Sequence, residues 1–501
     1  MRYQIHFLKD SPRICLWLWM FAILFLGCKP GNEQASSILV YCAAGMKPVL
    51  EQVAQTYQKE YGTRIDLQYG GSGTLLSNLR VAKQGDLYIA ADRSYIEEAK
   101  NFGLVAETQP LAYIKPVIAV AKGNPLQIDK LNDLYDEGIK LAIANPDAAS
   151  IGRLTKKMFI ETGQWQKLQS NVFVQMPTVN EVANAIKLGT IGVGIIWDAT
   201  ANQYDELEVV QIPEFEKYAK NITIGMLNSS TQVTEALKFM RFLSARNEGL
   251  KVFDQLGYKP VEGDMWEENP RILFYSGGVN RLAVDGTINA FEEREGVKVD
   301  RVYNGCGILV SQMKAGQHPD AYLSCDVSFM TQVADRFEGI TDVSNTKIVI
   351  AVQKGNPKNI QNLKDLAQSD LQLGVCNHDQ SALGALTKKL LESQGIWEDV
   401  YKNVRSQTPT ADLLVNQIRT GSLDAVVVYE ANIAQVRDKL DVVVLTEKEA
   451  TALQNFGISA NSQHQYLVKR LFQFITSTKS REHYVENGFT WIYNDPHAFQ
   501  P

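Results

Sequence analysis

Tyr69-Gly-Gly-Ser-Gly-Thr-Leu-Leu-Ser-Asn78 and Tyr303-Asn-Gly-Cys-Gly-Ile-Leu-Val-Ser-Gln312 are two versions of one stretch in this 501-residue chain. Each precedes apolar residues at helical spacing, so each predicts a strand, a glycine turn and the start of a helix. Further along, Lys122-Gly-Asn-Pro125 is matched in the same order by Lys354-Gly-Asn-Pro357. The period is far longer than the roughly 20–50 residues of a solenoid repeat. The sequence therefore contains one whole domain twice.

Composition and charge are those of an ordinary globular protein. Hydrophobic residues make up 45% of the chain and charged residues 21%, with a net charge of −6 and a pI near 5.7. An acidic chain without a sustained basic run is not expected to bind nucleic acid. A small anion would have to be bound by local dipoles rather than by a general positive field.

The N-terminus carries an export signal. Lys9 and Arg13 precede an apolar run from Ile14 to Gly27, which is short for a membrane span but typical of a signal-peptide core. We predict a signal peptide over residues 1–27 and a tether over residues 28–37. Cys28 resembles the lipidated first residue of a bacterial lipoprotein, which would anchor the chain to the membrane on its periplasmic side. A cleaved soluble export signal and a short N-terminal anchor are the alternatives.

Each repeat reads as an α/β unit. In the first repeat, residues 37–42 and 64–69 have the pattern of strands, and Val49, Leu50 and Val53 lie at helical spacing between them. The strand, glycine turn and helix rhythm predicts a mostly parallel sheet, whose ligands lie beyond the carboxyl ends of the strands. The rhythm restarts near Ile139, so we predict two lobes with a cleft between them in each repeat. The domains are predicted to span residues 38–264 and 271–497.

Two turns in the first repeat could bind an anion. Gly71-Ser72-Gly73 places free backbone N–H groups and a hydroxyl at a helix start, and Asn145-Pro-Asp147 leads into a second helix. The alternative interpretation is a serine cap and a capping turn of purely structural use. Asp92 and Asp326 are predicted to cap the helices that follow them. No lysine completes a nucleotide-binding loop, and no catalytic motif is present. We therefore predict a binding protein that is not an enzyme and uses no cofactor.

Taken in order, these motifs resemble the periplasmic molybdate-binding proteins of ABC importers, over nearly the whole mature chain in both repeats. The resemblance extends to Gly-Asp86-Leu-Tyr-Ile-Ala-Ala-Asp92 and to Gly194-Ile-Ile-Trp-Asp-Ala199. It implies two tandem type II solute-binding domains, each of two α/β lobes. It also implies capture of molybdate or tungstate by main-chain N–H groups and hydroxyls, for delivery to a membrane permease.

The resemblance also implies the ligand positions. In the first domain it assigns the loop hydroxyl to Ser72 and an aromatic N–H to Trp197, with main-chain donors at Gly45, Ile151 and Val182. In the second domain the corresponding positions are Val279, Cys306, Leu383, Leu414 and Tyr429. Here Cys306 stands where the family has serine, and Tyr429 keeps the aromatic hydroxyl.

Three cysteines of the second domain border its predicted cleft. One hypothesis is a soft-metal or redox site made by Cys306, Cys325, Cys376 and His378. A second is a disulfide between Cys306 and Cys325, and a third is that each thiol is a small buried hydrophobic group. A ligand sensor that presents its occupancy to a membrane partner is the remaining alternative to a transport component.

Overall fold

The computed structural model describes residues 37–494 together with Met1. The predicted signal peptide, most of the tether, the lipidation site at Cys28 and the last three residues of the predicted second domain lie outside these residues. Among the described helices, none combines the length and apolar character that a membrane crossing requires.

Domain 1 contains eleven strands and nine α-helices. Its strands are β1 (Ser37–Ala43), β2 (Arg64–Gly70), β3 (Leu87–Ala90), β4 (Val105–Ile114), β5 (Pro116–Ala121), β6 (Leu141–Ala144), β7 (Val172–Met176), β8 (Val193–Trp197), β9 (Leu207–Val210), β10 (Lys220–Leu227) and β11 (Lys259–Pro260). Its helices are α1 (Lys47–Tyr61), α2 (Ser72–Ala82), α3 (Arg93–Asn101), α4 (Ser150–Glu161), α5 (Trp165–Asn171), α6 (Val179–Lys187), α7 (Asp198–Ala201), α8 (Val233–Leu243) and α9 (Gly249–Gln255). Short 3₁₀ segments lie at Ala44–Met46, Leu131–Tyr135 and Pro213–Tyr218.

The strands of domain 1 form two sheets, one per lobe. Lobe A, residues 37–114 and 220–260, has the strand order β11-β4-β10-β3-β1-β2, and lobe B, residues 116–210, has the order β7-β6-β8-β5-β9. The pairs β1–β2 and β6–β8 are parallel, as the order of strand, glycine turn and helix predicts. The sequence prediction placed the lobes one after the other, whereas the chain returns to lobe A through β10 and so crosses between the lobes twice.

Domain 2 repeats this plan with ten strands and nine α-helices. Its strands are β12 (Arg271–Gly277), β13 (Lys298–Asn304), β14 (Ala321–Leu323), β15 (Phe337–Gln353), β16 (Leu373–Cys376), β17 (Val404–Thr408), β18 (Ala425–Tyr429), β19 (Leu440–Val444), β20 (Thr451–Ser459) and β21 (Thr490–Trp491). Its helices are α10 (Arg281–Glu295), α11 (Cys306–Lys314), α12 (Val327–Thr331), α13 (Ala382–Ser393), α14 (Trp397–Tyr401), α15 (Ala411–Arg419), α16 (Glu430–Ile433), α17 (Gln465–Ile475) and α18 (Thr478–Glu486). Its 3₁₀ segments are Gly278–Asn280, Ala334–Arg336, Leu363–Ala367 and Ala434–Val436.

The two domains differ at the first crossing between lobes. In domain 2 the strands of lobe A (β12, β13, β14, β20 and β21) and of lobe B (β16 to β19) belong to one sheet. The 17-residue strand β15 runs through both lobes, pairing with β20 of lobe A as far as Lys347 and with β18 of lobe B from Ile348 onward. In domain 1 the same path is divided at Lys115 into β4 and β5, and β5 begins with Pro116. Proline has no N–H group to donate to a neighbouring strand, and it restricts the backbone conformation of the residue before it. Pro116 is therefore the local feature that distinguishes this break.

Helix ends are specified by local side chains, as the sequence indicated. Asp92 and Asp326 cap α3 and α12 by accepting hydrogen bonds from Ser94 N and Ser328 N, which confirms their predicted role. Helix α1 ends at Gly62, whose φ of 75° lies in the left-handed region that glycine adopts without a steric penalty.

A buried ion cluster joins lobe A of one domain to lobe A of the other. Glu295, at the end of α10, is fully buried and accepts from Arg470 Nε at 2.7 Å and from Arg241 Nη1 at 3.0 Å. Arg470 also donates to Gln109 of β4 at 3.0 Å. Burial opposes the charge on Glu295, but Arg470 and Arg241 more than offset this and hold its pKa below the usual value.

Replacing Glu295 by glutamine should destabilise the protein by about 3–5 kcal/mol, because two arginines would remain buried without a counter-charge. Urea unfolding of the full chain measures the loss. Since the folded-state pKa of Glu295 is lowered, the difference from wild type is complete above the usual pKa and shrinks as the pH falls through the folded-state value. Glu51→Gln, which removes an exposed ion pair with Lys47, is the control and should cost under about 0.5 kcal/mol. Equal losses in the two variants would contradict the assignment.

Candidate functional site

Three α-helices and one 3₁₀ turn of domain 1 begin at the cleft between its lobes. Strand β2 leads into α2, β7 into α6, and the Asn145–Ala149 loop after β6 into α4, while Ala44–Met46 follows β1. Their first residues surround a small cavity of about 20 Å³, which has room for an ordered water but is narrow in this closed form. Helix starts carry N–H groups without intrahelical partners and the positive end of the helix dipole. None of the residues that line the cavity bears a charge.

Ser72 is the first residue of α2 and is held in place from two sides. Tyr88 Oη donates to Ser72 O at 2.7 Å, and Ala91 N donates to Ser72 Oγ at 3.3 Å. The hydroxyl therefore accepts a hydrogen bond from Ala91 N. Its own proton remains available for donation to a ligand in the cavity that Ser72 lines. Within the described part of the chain, the Ser72 N–H makes no hydrogen bond.

Lobe B contributes the starts of α4 and α6. Ser150 and Ile151 line the cavity, and their N–H groups have no hydrogen-bond partner among the described residues. The predicted donor Val182 needs correction, because it is the fourth residue of α6, fully buried and absent from the cavity wall. The N–H group of the fourth helical residue already donates to a carbonyl of its own helix, so it is not available to a ligand. Val179, the first residue of α6, takes this place in the wall.

Gly45 and Trp197 complete the wall. Gly45 O accepts from Tyr258 Oη at 2.5 Å and from Gln203 Nε2 at 3.3 Å, so residues of both lobes fix its position. A side chain at Gly45 would come within 3.3 Å of Thr200 Oγ1 across the cleft. Trp197 is almost fully buried at the end of β8 and offers an indole N–H.

The cleft of domain 1 is closed by direct contacts between lobes. Gly73 N and Thr74 N, in the first turn of α2, both donate to Ala148 O of lobe B, at 2.9 and 3.2 Å. Arg153 of α4 donates to Glu98 of α3 at 2.8 Å, and its guanidinium lies 3.7 Å from the ring centre of Tyr95. The sequence analysis missed these contacts, since they join residues that are distant in the chain. The one available signal was that Arg153 is replaced by Ala385 in the second repeat.

Domain 2 has a cleft of the same form. Gly307 N and Ile308 N donate to Gln380 O across the lobes, at 3.0 and 3.3 Å. The cavity again measures about 20 Å³, and its wall includes the predicted positions Val279, Leu383 and Tyr429. Leu414 is corrected for the same reason as its counterpart in α6: it is the fourth residue of α15 and fully buried, and Ala411 lines the cavity instead.

Tyr429 brings an aromatic hydroxyl to this second wall. The side chain is 3% exposed, and its hydroxyl is buried without a hydrogen-bond partner in the described structure. Burial raises the pKa of the phenol well above its usual value, so the hydroxyl keeps its proton at neutral pH. It can therefore donate to a bound acceptor.

The cysteines of domain 2 do not form the metal site that was one hypothesis. Cys306 and Cys325 are joined in a disulfide, so neither has a thiolate to offer. Burial raises the pKa of Cys376 to about 12, which keeps that thiol protonated. His378 lies beside Asp379 and Trp397 instead. Over residues 37–494, no group of three or more histidine, cysteine, aspartate or glutamate side chains is placed to hold a metal ion.

The disulfide also changes the expected role of Cys306. The sequence assigned this residue to the ligand site, as the counterpart of Ser72. In the structure Cys306 is fully buried, and the cavity wall contains Gly305 and Cys325 but not Cys306. Of the three alternatives for these thiols, the disulfide holds for Cys306 and Cys325, and the buried apolar group holds for Cys376.

Several known proteins are similar to about half of the chain. The putative binding protein of Haemophilus influenzae is 27% identical over 232 residues, which cover 46% of this chain and 94% of that protein. The molybdate-binding protein ModA of Mycobacterium bovis is 24% identical over 230 residues, or 45% of this chain and 86% of that protein. Among solved structures, the periplasmic molybdate-binding protein of Azotobacter vinelandii is 19% identical with a TM-score of 0.39, over 44% of this chain and 98% of that one.

The family profile covers both repeats. The family described as bacterial extracellular solute-binding protein matches residues 38–259 and again residues 272–490. These two matches coincide with the two domains of the structure, each with two lobes and a cleft. The chain is thus a tandem member of the bacterial extracellular solute-binding protein family.

Proposed function

We propose that domain 1 captures a tetrahedral oxyanion, molybdate or tungstate, and delivers it to the permease of an ABC importer. The observation that carries the proposal is the uncharged cavity at which the starts of α2, α4 and α6 meet. Of the two relatives by sequence named above, that of Haemophilus influenzae is called a putative binding protein and that of Mycobacterium bovis a molybdate-binding protein. In this function the chain acts by binding and release, without catalysis.

The groups in this cavity suit a ligand that only accepts hydrogen bonds. The unpaired N–H groups of Ser72, Ser150 and Ile151 can only donate, and the Ser72 hydroxyl already accepts from Ala91 N. A fully deprotonated oxyanion needs donors on all sides, and helix starts supply them with a favourable dipole. Each hydrogen bond to a charged acceptor contributes about 1.5–3 kcal/mol, so neutral donors suffice.

Both lobes contribute donors, which couples binding to closure. Ser72 belongs to lobe A, whereas Ile151 and Val179 belong to lobe B, so only the closed form can use all of them at once. A ligand favours the closed form by the difference in its affinity for the two forms. We propose that molybdate or tungstate holds the two lobes together and that the permease recognises the closed form.

The proposed location is the outer face of the cytoplasmic membrane. Cys28, in the part of the chain outside the described residues, would carry the lipid, and residues 29–37 would tether domain 1. The exported context is consistent with the disulfide of domain 2, since disulfides persist in oxidising compartments.

Ser72→Ala should weaken oxyanion binding by about 1.5–3 kcal/mol, or roughly 10–150-fold, because it removes one donor to a charged ligand. Titration calorimetry of residues 29–501 with molybdate, tungstate, sulfate and phosphate measures the effect. Ser77→Ala is the matched control, since Ser77 lies on the same helix but is exposed. If the wild-type chain binds none of these ions, the proposed function is wrong.

Gly71→Ala should prevent closure of domain 1, because a Cβ atom at residue 71 would collide with Ala148 O of the other lobe. Small-angle scattering should then show no compaction on adding molybdate, and affinity should fall by about 1–3 kcal/mol, the usual cost of overpacking. Gly286→Ala is the control, since the nearest atom to its Cβ would be His483 Nε2 at 3.8 Å. Unchanged affinity in Gly71→Ala would show that binding does not require this closed form.

A further inference from the structure

Three corresponding positions distinguish the two clefts. Domain 1 has Ala43 at the end of β1, Ser72 at the start of α2 and Ala91 just after β3. At the same places domain 2 has Gly277, Cys306 and Cys325. The surrounding framework is otherwise alike, with the same glycine-flanked helix start and the same pair of hydrogen bonds across the lobes.

The hydrogen-bonding capacity of the helix start differs between the domains. In domain 1, Ser72 Oγ accepts from Ala91 N and can donate its proton to the cavity. In domain 2, Cys306 Sγ lies 3.0 Å from Cys325 N and is bonded to Cys325 Sγ. A disulfide sulfur has no proton, and Cys306 does not reach the cavity wall. Domain 2 has therefore lost the side-chain donor that domain 1 presents here.

Gly277 makes room for the disulfide. A Cβ atom on residue 277 would collide with Cys325 Sγ and would lie 3.0 Å from Cys306 Sγ. An alanine, as found at Ala43 in domain 1, would therefore not fit beside the sulfur–sulfur bond. Gly277, Cys306 and Cys325 form one structural unit, of which Cys325 lines the domain 2 cavity.

We infer that the Cys306–Cys325 disulfide determines specificity by weakening the binding of a tetrahedral oxyanion in domain 2, so that at limiting ion concentration the chain carries a single such ion, in domain 1. The inference rests on the proposed function of domain 1 and concerns the other cleft. An acceptor-only ion placed at the start of α11 would find no hydroxyl of the kind that Ser72 presents in domain 1. It would make one charged hydrogen bond fewer than in domain 1, which lowers its affinity by roughly 10–150-fold.

The decisive experiment counts molybdate ions per chain by native mass spectrometry of residues 29–501 under non-reducing conditions, at a molybdate concentration just sufficient to saturate domain 1. The wild-type chain should bind one ion. C306S/C325A copies the Ser72 and Ala91 pair into domain 2 and should bind two. C306A/C325A also removes the disulfide but restores no hydroxyl, and should still bind one. Melting curves establish that both variants remain folded.

A reciprocal graft tests the same inference without removing the native disulfide. A43G/S72C/A91C places the glycine and both cysteines in domain 1, and a mass loss of two hydrogens verifies that the disulfide has formed. This chain should bind no molybdate, whereas A43G alone should still bind one ion. The graft decides the question if C306S/C325A does not fold.

The outcomes separate this inference from the proposed function. Two ions on the wild-type chain, one ion on folded C306S/C325A, or two on C306A/C325A would each overturn the role of the disulfide. A grafted chain that forms its disulfide and still binds one ion would overturn it as well. No ion on the wild-type chain or on any variant would instead refute the proposed function, and the inference with it.

Discussion

The N–H groups at the starts of helices cannot be satisfied within those helices, and this constraint organises both clefts. In each lobe, strands of the sheet bring helix starts to the edge that faces the cleft, so α2 of lobe A begins close to α4 and α6 of lobe B in domain 1. In the closed form, Ala148 O accepts two of the N–H groups of α2, and Gln380 O does the same for α11. The groups that remain unpaired, at Ser72, Ser150 and Ile151, define the donors available to a ligand.

The connection between domains affects which parts of the chain can move. The hydrogen bonds that join the domains, within the described residues, link lobe A of one domain to lobe A of the other, with Glu295 between Arg241 and Arg470 at the centre. Lobe B of each domain carries none of these contacts. Closure of either cleft can therefore proceed by movement of its own lobe B while the ion cluster stays intact. Such an arrangement allows the two clefts to bind independently.

The two copies differ more in their chemistry than in their shape. The cavities have similar volumes and both lie at carboxyl ends of strands. Domain 1 adds Arg153, which bonds to Glu98 across the cleft, and domain 2 has Ala385 at the corresponding position. Domain 2 has the disulfide where domain 1 has a free hydroxyl. Duplication of a fold thus leaves the ligand site of each copy to be decided by a few side chains.

The sequence by itself determined the duplication, the α/β class, the two lobes of each domain and the helix start at Ser72, because glycine turns and apolar periodicity are local signals. It also indicated the caps at Asp92 and Asp326. Only the tertiary structure decided which residue of α6 lines the cavity, since Val179 and Val182 differ by one helical turn. It also decided between thiols and a disulfide, and it placed Arg241, Glu295 and Arg470 together. Those outcomes depend on distances between residues far apart in the chain, which no local pattern encodes.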